Sequence, residues 1–286
     1  MADTLTKDRK APRAGSAATV PQVISVTSGK GGVGKTNISV NLATMLARKG
    51  KRVVLMDADL GLANVDVLLG LTPEKNLFHL FEEGAKLTDV LLDTPYGFKI
   101  LPAASGVAEM LELDTGQKLD LLESMDVLEN NVDFLIVDTG AGINENVLYF
   151  NLAVQERLLV LTPEPTSLTD AYALIKVLKA EHGVQRFRVV VNMAKTPAAA
   201  KEVYSKLHNA CDQFLSGISL DLVGVLPLDP GVRTAVINQK PFSVMYPDGP
   251  ATTALTNVVS KITSWKGTAQ LDGNIKFFWK KLLFQD

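Results

Sequence analysis

The chain has 286 residues, of which 47% are hydrophobic and 21% are charged, and its formal net charge at pH 7 is -2. This composition is typical of a soluble globular protein with a sizeable core, and the charge excludes a chain that is basic throughout, as general nucleic-acid binders are. The one cysteine, Cys211, excludes an intrachain disulfide and a cysteine-built metal site or iron–sulfur cluster within one chain, which agrees with a cytoplasmic location. It lies in an apolar periodic stretch, where a buried structural thiol is expected.

The order of polar and apolar segments predicts the domain organisation. Residues 1–20 are polar and predict a flexible arm, whereas residues 21–264 alternate short β-branched runs with longer helical patterns. Such alternation predicts a single α/β domain, a mainly parallel central sheet with helices on both faces. No run of about 18 apolar residues occurs, so no membrane span is expected. The predicted strands are Gln22–Thr27, Arg52–Met56, Phe98–Leu101, Asp133–Val137, Arg157–Leu161, Phe187–Val191 and Leu222–Leu226, and the clearest helices are Asn37–Arg48, Thr169–Glu181 and Ala198–Leu215.

A phosphate-binding loop follows the first predicted strand. The stretch SGKGGVGKT, residues 28–36, fits the pattern G-x-x-x-x-G-K-[ST] and lies between a strand and a helix. Its glycines let backbone N–H groups face phosphate oxygens, Lys35 would reach the β- and γ-phosphates, and Thr36 would hold Mg²⁺. We therefore predict a P-loop NTPase. The predicted nucleotide-binding residues of the loop are Gly29, Gly31, Gly32, Val33, Gly34, Lys35, Thr36 and Asn37.

The loop carries a second lysine, Lys30, which the general pattern does not require. One interpretation is a solvated surface side chain. The other is a second cation for the charge that develops during phosphoryl transfer, the role of an arginine finger. A side chain at the loop entrance would then point towards a neighbouring chain's nucleotide rather than its own.

Three aspartates end two predicted strands on the side where ligands gather in open α/β sheets. Asp57 and Asp59 follow the second strand, and Asp138 ends the buried strand of VDFLIVDTGAG. Asp138 fits the Walker B motif, in which a strand-end carboxylate holds a Mg²⁺-bound water. Gly140 and Gly142 would allow a mobile loop near the γ-phosphate, like switch II. Asp57 and Asp59 are interpreted as handling Mg²⁺ and water, with a turn or helix-cap role as the alternative.

The chain closes with a linker, residues 265–273, and an amphipathic helix, residues 274–286. Lysines surround the apolar face of this helix, so it would suit a membrane interface. The alternatives are docking on the protein's own surface or in a partner's groove. The apolar face consists of Ile275, Phe278, Trp279, Leu282 and Leu283.

The stretch KGGVGKT resembles the deviant Walker A motif of the MinD/ParA family of P-loop ATPases, and the similarity extends over nearly all of residues 21–284. In that family the lysine at the position of Lys30 contacts the partner subunit's nucleotide, which implies a homodimer formed on ATP binding. The resemblance also implies that Asp59 positions the attacking water, that Asp57 lies near the Mg²⁺ shell and that Asn192 reads the adenine edge. ATP rather than GTP as the cofactor rests on this resemblance. The residues that would pack around the base are Leu226, Pro227 and Leu228.

The resemblance further implies a slow, dimer-activated ATPase that binds anionic lipids of the inner membrane. MinD-like proteins end in a membrane-targeting helix, and a dimer pairs two such helices, which raises avidity. The location implied is the cytoplasm, with reversible attachment to the cytoplasmic face of the inner membrane. Hydrolysis would reset the switch.

Within the family, the stretches DTGAGI, Ile100–Gly106 and Glu164–Leu178 look most like the FlhG/FleN regulators of flagellar number and placement. The partners implied are an FlhF-type GTPase, a flagellar transcriptional activator or C-ring proteins. The arm lacks the D-Q-A-x-x-L-R segment with which many of these proteins stimulate FlhF. Cell-division site selection and ParA-like DNA or cargo positioning remain alternatives, whereas the lone Cys211 excludes the nitrogenase iron protein.

Overall fold

The computed structural model describes residues 21–59, 64–76, 79, 86–102, 116, 119, 122–123, 128, 131–265 and 275–284. The predicted arm and all but the first residue of the predicted linker lie outside these residues. In chain order the elements are β1 Gln22–Ser28, α1 Lys35–Arg48, β2 Val53–Ala58, α2 Val65–Leu69, α3 Leu87–Val90, β3 Leu92–Asp93, β4 Lys99–Pro102, β5 Phe134–Ala141, α4 Glu145–Ala153, β6 Glu156–Leu161, α5 Pro165–His182, β7 Arg186–Ala194, α6 Pro197–Phe214, β8 Ser219–Pro227, α7 Pro230–Ile237, α8 Phe242–Met245, α9 Pro250–Ser264 and α10 Ile275–Leu283.

The strands form one sheet in the order β3-β4-β2-β5-β1-β6-β7-β8. Every neighbouring pair is parallel except β3 and β4. All seven predicted strands are present. The central strands β1, β2 and β5 are buried almost throughout, as expected for strands covered on both faces, whereas the edge strand β8 is only partly buried. The sequence pattern missed β3, which has two residues and is too short to show a period.

Helices cover both faces of the sheet, as predicted. On one face β1 and β2 pack against α1 and α9. On the other face the core has two parts, one with α4 and α10 and one with α5 and α6. Cys211 lies in the second of these parts, buried, and burial raises the pKa of its thiol to about 11, which agrees with the structural role expected of it.

The C-terminal helix α10 docks on the protein itself. Its five predicted membrane-facing side chains are at most 2% exposed and share a core cluster with Phe150 of α4 and Leu135 of β5. Lys280 and Lys281 remain exposed. This conformation is one of the alternatives that the sequence left open, and membrane contact would require α10 to leave the cluster. No helix in the described part of the chain is long and apolar enough to span a bilayer.

Candidate functional site

The phosphate-binding loop connects β1 to α1 at the carboxyl edge of the sheet. Gly34 precedes α1 with φ +94°, a left-handed conformation that suits glycine. Gly29 is required for a different reason, because a Cβ there would lie 2.0 Å from the backbone oxygen of Asp170 in α5. The loop is therefore held against α5, with the first turn of α1 open to an anion.

Lys35 lies inside this loop. Its ammonium is buried and donates a hydrogen bond to Ser28 Oγ over 3.0 Å. Burial lowers its pKa, and the carboxylates of Asp138 and Asp59 oppose that shift. A buried cation close to the loop's N–H groups is placed to neutralise phosphate charge.

Asp138 lies beneath the start of α1. The hydroxyl of Ser39 donates to Asp138 Oδ1 over 2.8 Å, and the Thr36 hydroxyl also hydrogen-bonds this carboxyl. Burial raises the pKa of Asp138 to about 7, and the neighbouring carboxylate of Asp57 adds to the rise. The sheet register makes these two aspartates neighbours, since Asp57 of β2 pairs with Asp138 of β5.

Asp57 joins the site to the short helix α2. Its Oδ2 accepts hydrogen bonds from the backbone N–H groups of Asn64 (3.0 Å) and Val65 (3.1 Å). Burial raises the pKa of Asp57 to about 6, although these donors and the N–H of Asp59 lower it. The turn and cap role that the sequence left open for Asp57 is therefore present, beside its place near Asp138.

The donor set fits a hard divalent cation. Two buried carboxyls with raised pKa values and a threonine hydroxyl are oxygen donors, which Mg²⁺ prefers, and a cation would relieve the repulsion between the carboxylates. No group of three or more His, Cys, Asp or Glu side chains suited to a metal occurs among the described residues. Mg²⁺ in nucleotide sites is usually held by one or two protein groups together with phosphates and water.

Asp59 and Gly140 meet on the open side of the site. A Cβ on Gly140 would lie 3.3 Å from Asp59 Oδ1, so the absence of a side chain lets the carboxylate approach this backbone. Gly140 is still part of β5, whereas Gly142, with φ +100°, begins the turn to α4. Of the two predicted switch II glycines, Gly140 therefore lies next to Asp59, and Gly142 follows two residues later in the turn.

Lys30 is paired with residues at the start of α5. Its ammonium donates to Glu164 Oε2 over 2.6 Å and to Thr166 Oγ1 over 2.8 Å. The side chains of Lys30 and Glu164 are 34% and 56% exposed. The two lysines of the loop therefore occupy different surroundings, Lys35 inside and Lys30 at the surface.

The predicted base-binding residues include both buried and exposed side chains. Asn192 donates from Nδ2 to Val33 O over 2.8 Å, so it anchors the phosphate loop. Leu226 is part of the core under α1, which makes its side chain unavailable to a base and corrects that prediction. Leu228 is 54% exposed, and beside Asn192 the partly exposed Met193 has φ +54°.

Sequence reasoning missed several residues of the site. Glu164, Thr166 and Ser39 contact predicted site residues, yet each lies in a helix or a helix-start segment without a motif of its own. Met193 was not predicted either, because a left-handed backbone at a non-glycine residue has no sequence signature.

Comparison with known proteins identifies the family of the chain. Residues 24–242 match the model of the CobQ/CobB/MinD/ParA nucleotide binding domain. The antiactivator FleN of Pseudomonas aeruginosa is 49% identical over 262 residues, 92% of this chain and 93% of that protein. The flagellum site-determining protein YlxH of Helicobacter pylori is 31% identical over 263 residues, 91% of this chain and 89% of that protein.

Among solved structures, the septum site-determining protein MinD of Pyrococcus horikoshii, complexed with Mg-ADP, superposes with a TM-score of 0.66 at 26% identity. The similarity covers 85% of this chain and 96% of that one. The chain therefore belongs to the CobQ/CobB/MinD/ParA nucleotide-binding domain family.

Proposed function

We propose that the chain is a slow ATPase that dimerises on ATP and hydrolyses it with the help of its partner's Lys30. The single observation that carries this proposal is the different placement of the two loop lysines. Lys35 is buried within its own loop, whereas Lys30 is turned outwards to Glu164. A cation at that surface position is better placed to reach a nucleotide on a facing chain than the one in its own loop.

Each side chain of the site has a part in this chemistry. Lys35 and the loop N–H groups would hold the β- and γ-phosphates, and the hydroxyl of Thr36 with the carboxylate of Asp138 would hold Mg²⁺ and a bound water. Mg²⁺, when bound, supplies neutralisation of the phosphate charge. Asp59 would orient the attacking water beside Gly140. Phosphoryl transfer needs mainly positioning and charge stabilisation, so no histidine base is required.

The base would lie at the Asn192 end of the site. Pro227 ends β8 and Leu228 follows it, and the N–H of Leu228 donates to Ala194 O over 3.0 Å, which joins the ends of β7 and β8. The partly engaged amide of Asn192 has hydrogen-bonding capacity left for the adenine edge. ATP rather than GTP rests on the similarity to the MinD/ParA family.

The tail helix would couple the nucleotide to a membrane surface. The N–H of Gly142 donates to Ser28 O over 3.0 Å, and Asn144 caps α4 through a bond from Val147 N over 3.0 Å. The same helix α4 packs against α10. A nucleotide that moves the Gly142 turn would thus act on the surface that holds the tail, and a dimer would present two released helices to anionic lipids on the cytoplasmic face of the inner membrane.

We propose flagellar number and placement as the process, on the strength of the similarity to FleN and YlxH. The proposed partners are an FlhF-type GTPase, a flagellar transcriptional activator or C-ring proteins. Division-site selection is the second candidate, favoured by the similarity to a MinD structure. ParA-like positioning of DNA has less support, because the net charge is -2.

Mixing two inactive variants tests whether Lys30 acts on the partner's nucleotide. Lys30→Ala lacks the activating lysine, and Asp59→Ala lacks the residue that positions water. In a mixed dimer, the Lys30→Ala subunit keeps its own Asp59 and receives Lys30 from its partner. Random exchange gives half mixed dimers with one competent site each, so turnover should recover to about a quarter of wild type.

The activity of the mixture distinguishes action on the partner's nucleotide from action on the same chain's nucleotide. If Lys30 acts on its own nucleotide, the mixture stays as inactive as its components. Full activity of Lys30→Ala alone would contradict any catalytic role for this lysine.

A further inference from the structure

Gln239, just after α7, has a backbone conformation that is unusual for its residue type. Its φ is +51°, and Met193 is the other non-glycine residue with a positive φ in the described part of the chain. Few non-glycine residues adopt this left-handed region, and those that do often have a functional reason. The conformation turns the Gln239 side chain from α7 towards α2.

The side chain of Gln239 holds the C-terminal end of α2. Its Nε2 donates to Val67 O over 2.9 Å. Its Oε1 lies 2.9 Å from the point where a Cβ on Gly70 would be, so Gly70 leaves space for this contact. Gly70 itself has φ +64° and ends α2. The contact thus joins two segments 172 positions apart in the sequence.

The other end of α2 is held by the site. Asp57 accepts hydrogen bonds from the N–H groups of Asn64 and Val65, at the start of the helix. A helix of five residues has little stability of its own, so its position depends on such contacts and on the burial of Val65, Leu68 and Leu69. Any shift at the Gly70 end would therefore reach Asp57.

Gln239 also belongs to the base side of the site. The helix α7 that precedes it begins at Pro230, just after the exposed Leu228, and Asp229 caps it through Gly231 N over 2.8 Å. The segment from Leu228 to Gln239 therefore runs from the proposed base-binding loop to α2. It links the base side of the nucleotide site to the aspartate side.

We propose that Gln239 is a positioning residue for ATP turnover: by holding the end of α2 it keeps the start of that helix against Asp57 and so fixes the Asp57–Asp59 segment. The proposal rests on the ATPase function proposed above. It predicts an effect on the rate of the chemical step and little effect on ATP binding, since the side-chain hydrogen bond of Gln239 is to α2 and not to the phosphate loop.

Two substitutions separate the hydrogen bond from the backbone conformation. Gln239→Asn keeps a residue that tolerates a left-handed backbone but is one methylene too short to reach Val67 O. Gln239→Lys restores a long donor. Asn238→Ala is the matched control, because the Asn238 side chain donates to Thr234 O within α7 and does not contact α2.

Steady-state kinetics and hydrogen exchange give independent readouts. For Gln239→Asn we expect kcat to fall about three- to tenfold, the effect of losing one hydrogen bond, with KM for ATP within about twofold of wild type. Gln239→Lys should recover most of the loss, and Asn238→Ala should match wild type. In nucleotide-free protein, amide exchange in residues 65–71 should be faster for Gln239→Asn only.

Amide hydrogen exchange in α2 tests the contact between Gln239 and α2 even if the proposed ATPase function is wrong. Unchanged exchange in residues 65–71 of Gln239→Asn would show that the hydrogen bond from Gln239 to Val67 does not stabilise α2. Faster exchange with wild-type kcat overturns its positioning role. A wild-type protein that binds ATP but never hydrolyses it contradicts the proposed function instead.

Discussion

Weakening the surface under α10 should free the tail without nucleotide. Phe150 of α4 is fully buried and belongs to the same core cluster as the apolar face of α10. Phe150→Ala removes part of that surface but leaves every residue of the tail unchanged. The tail's own affinity for lipid is therefore preserved while its docking is weakened.

The structure gives the size of the effect. The docked face buries five large apolar side chains, which contribute roughly 10 kcal/mol at about 2 kcal/mol each. Ordering the nine residues of α10 costs roughly 9–14 kcal/mol at about 1–1.5 kcal/mol each. The free energy gained by burial and the entropic cost of ordering nearly cancel, so the docked state of α10 is only marginally stable. Removing a buried phenylalanine side chain typically costs about 3–5 kcal/mol, which is enough to favour the undocked tail.

Co-sedimentation with anionic liposomes, without nucleotide, measures the released tail. Phe150→Ala should bind clearly more than wild type, and the fluorescence of Trp279 should shift to the red in solution. Phe187→Ala is the matched control, since Phe187 is equally buried but lies in the core part under α5 and α6. Red-shifted fluorescence without liposome binding would refute the membrane role of α10, and binding by both variants would indicate general unfolding.

Three further predictions concern the nucleotide site. Glu164→Gln removes an exposed ion pair worth about 0.2–1 kcal/mol, so more Lys30 is free and turnover at limiting protein concentration should rise up to about fivefold. Asp138 has a pKa raised from 3.8 to about 7, so between these pH values the folded state retains a proton that the unfolded state loses. The stability of the folded state therefore falls as the pH rises through this window. Without Mg²⁺ and nucleotide, Asp138→Asn should melt at least about 2 °C above wild type near pH 8. Gly29→Ala should fold poorly, because its Cβ would lie 2.0 Å from a backbone oxygen of α5, whereas Gly31→Ala, with no atom nearer than 4.0 Å, should fold normally.

Each of these has a contradicting outcome. Unchanged or lower turnover in Glu164→Gln would mean that this ion pair does not restrain Lys30. A melting temperature of Asp138→Asn below that of wild type near pH 8 would show that the ionised carboxyl is stabilised by its neighbours. A Gly29→Ala protein with wild-type stability would mean that α5 can move away from the loop.

Much of the fold follows from local pattern. Parallel strands buried on both faces are continuous apolar runs, so seven strands could be predicted within a few residues. The phosphate loop and Asp138 were also predictable, because each follows a strand at the edge where ligands bind. Such signals lie within about ten consecutive residues.

The contacts that tune the site could not be predicted in the same way. Glu164 lies 134 positions from Lys30, and Asn192 lies 159 positions from Val33. These pairs meet only because the strand order brings their loops together, and local periodicity carries no information on strand order. The tail illustrates a second limit, since one apolar helix face suits a bilayer and a protein core equally well.

The mass of the Asp59→Ala protein in solution tests the central claim most directly. This variant should bind ATP without hydrolysing it, so ATP-bound dimers would accumulate and sedimentation with Mg²⁺ and ATP should give twice the mass of one chain. With Mg²⁺ and ADP the mass should be that of one chain. A single-chain mass in saturating ATP, with ATP binding verified by calorimetry, would contradict the proposed ATP-driven dimer.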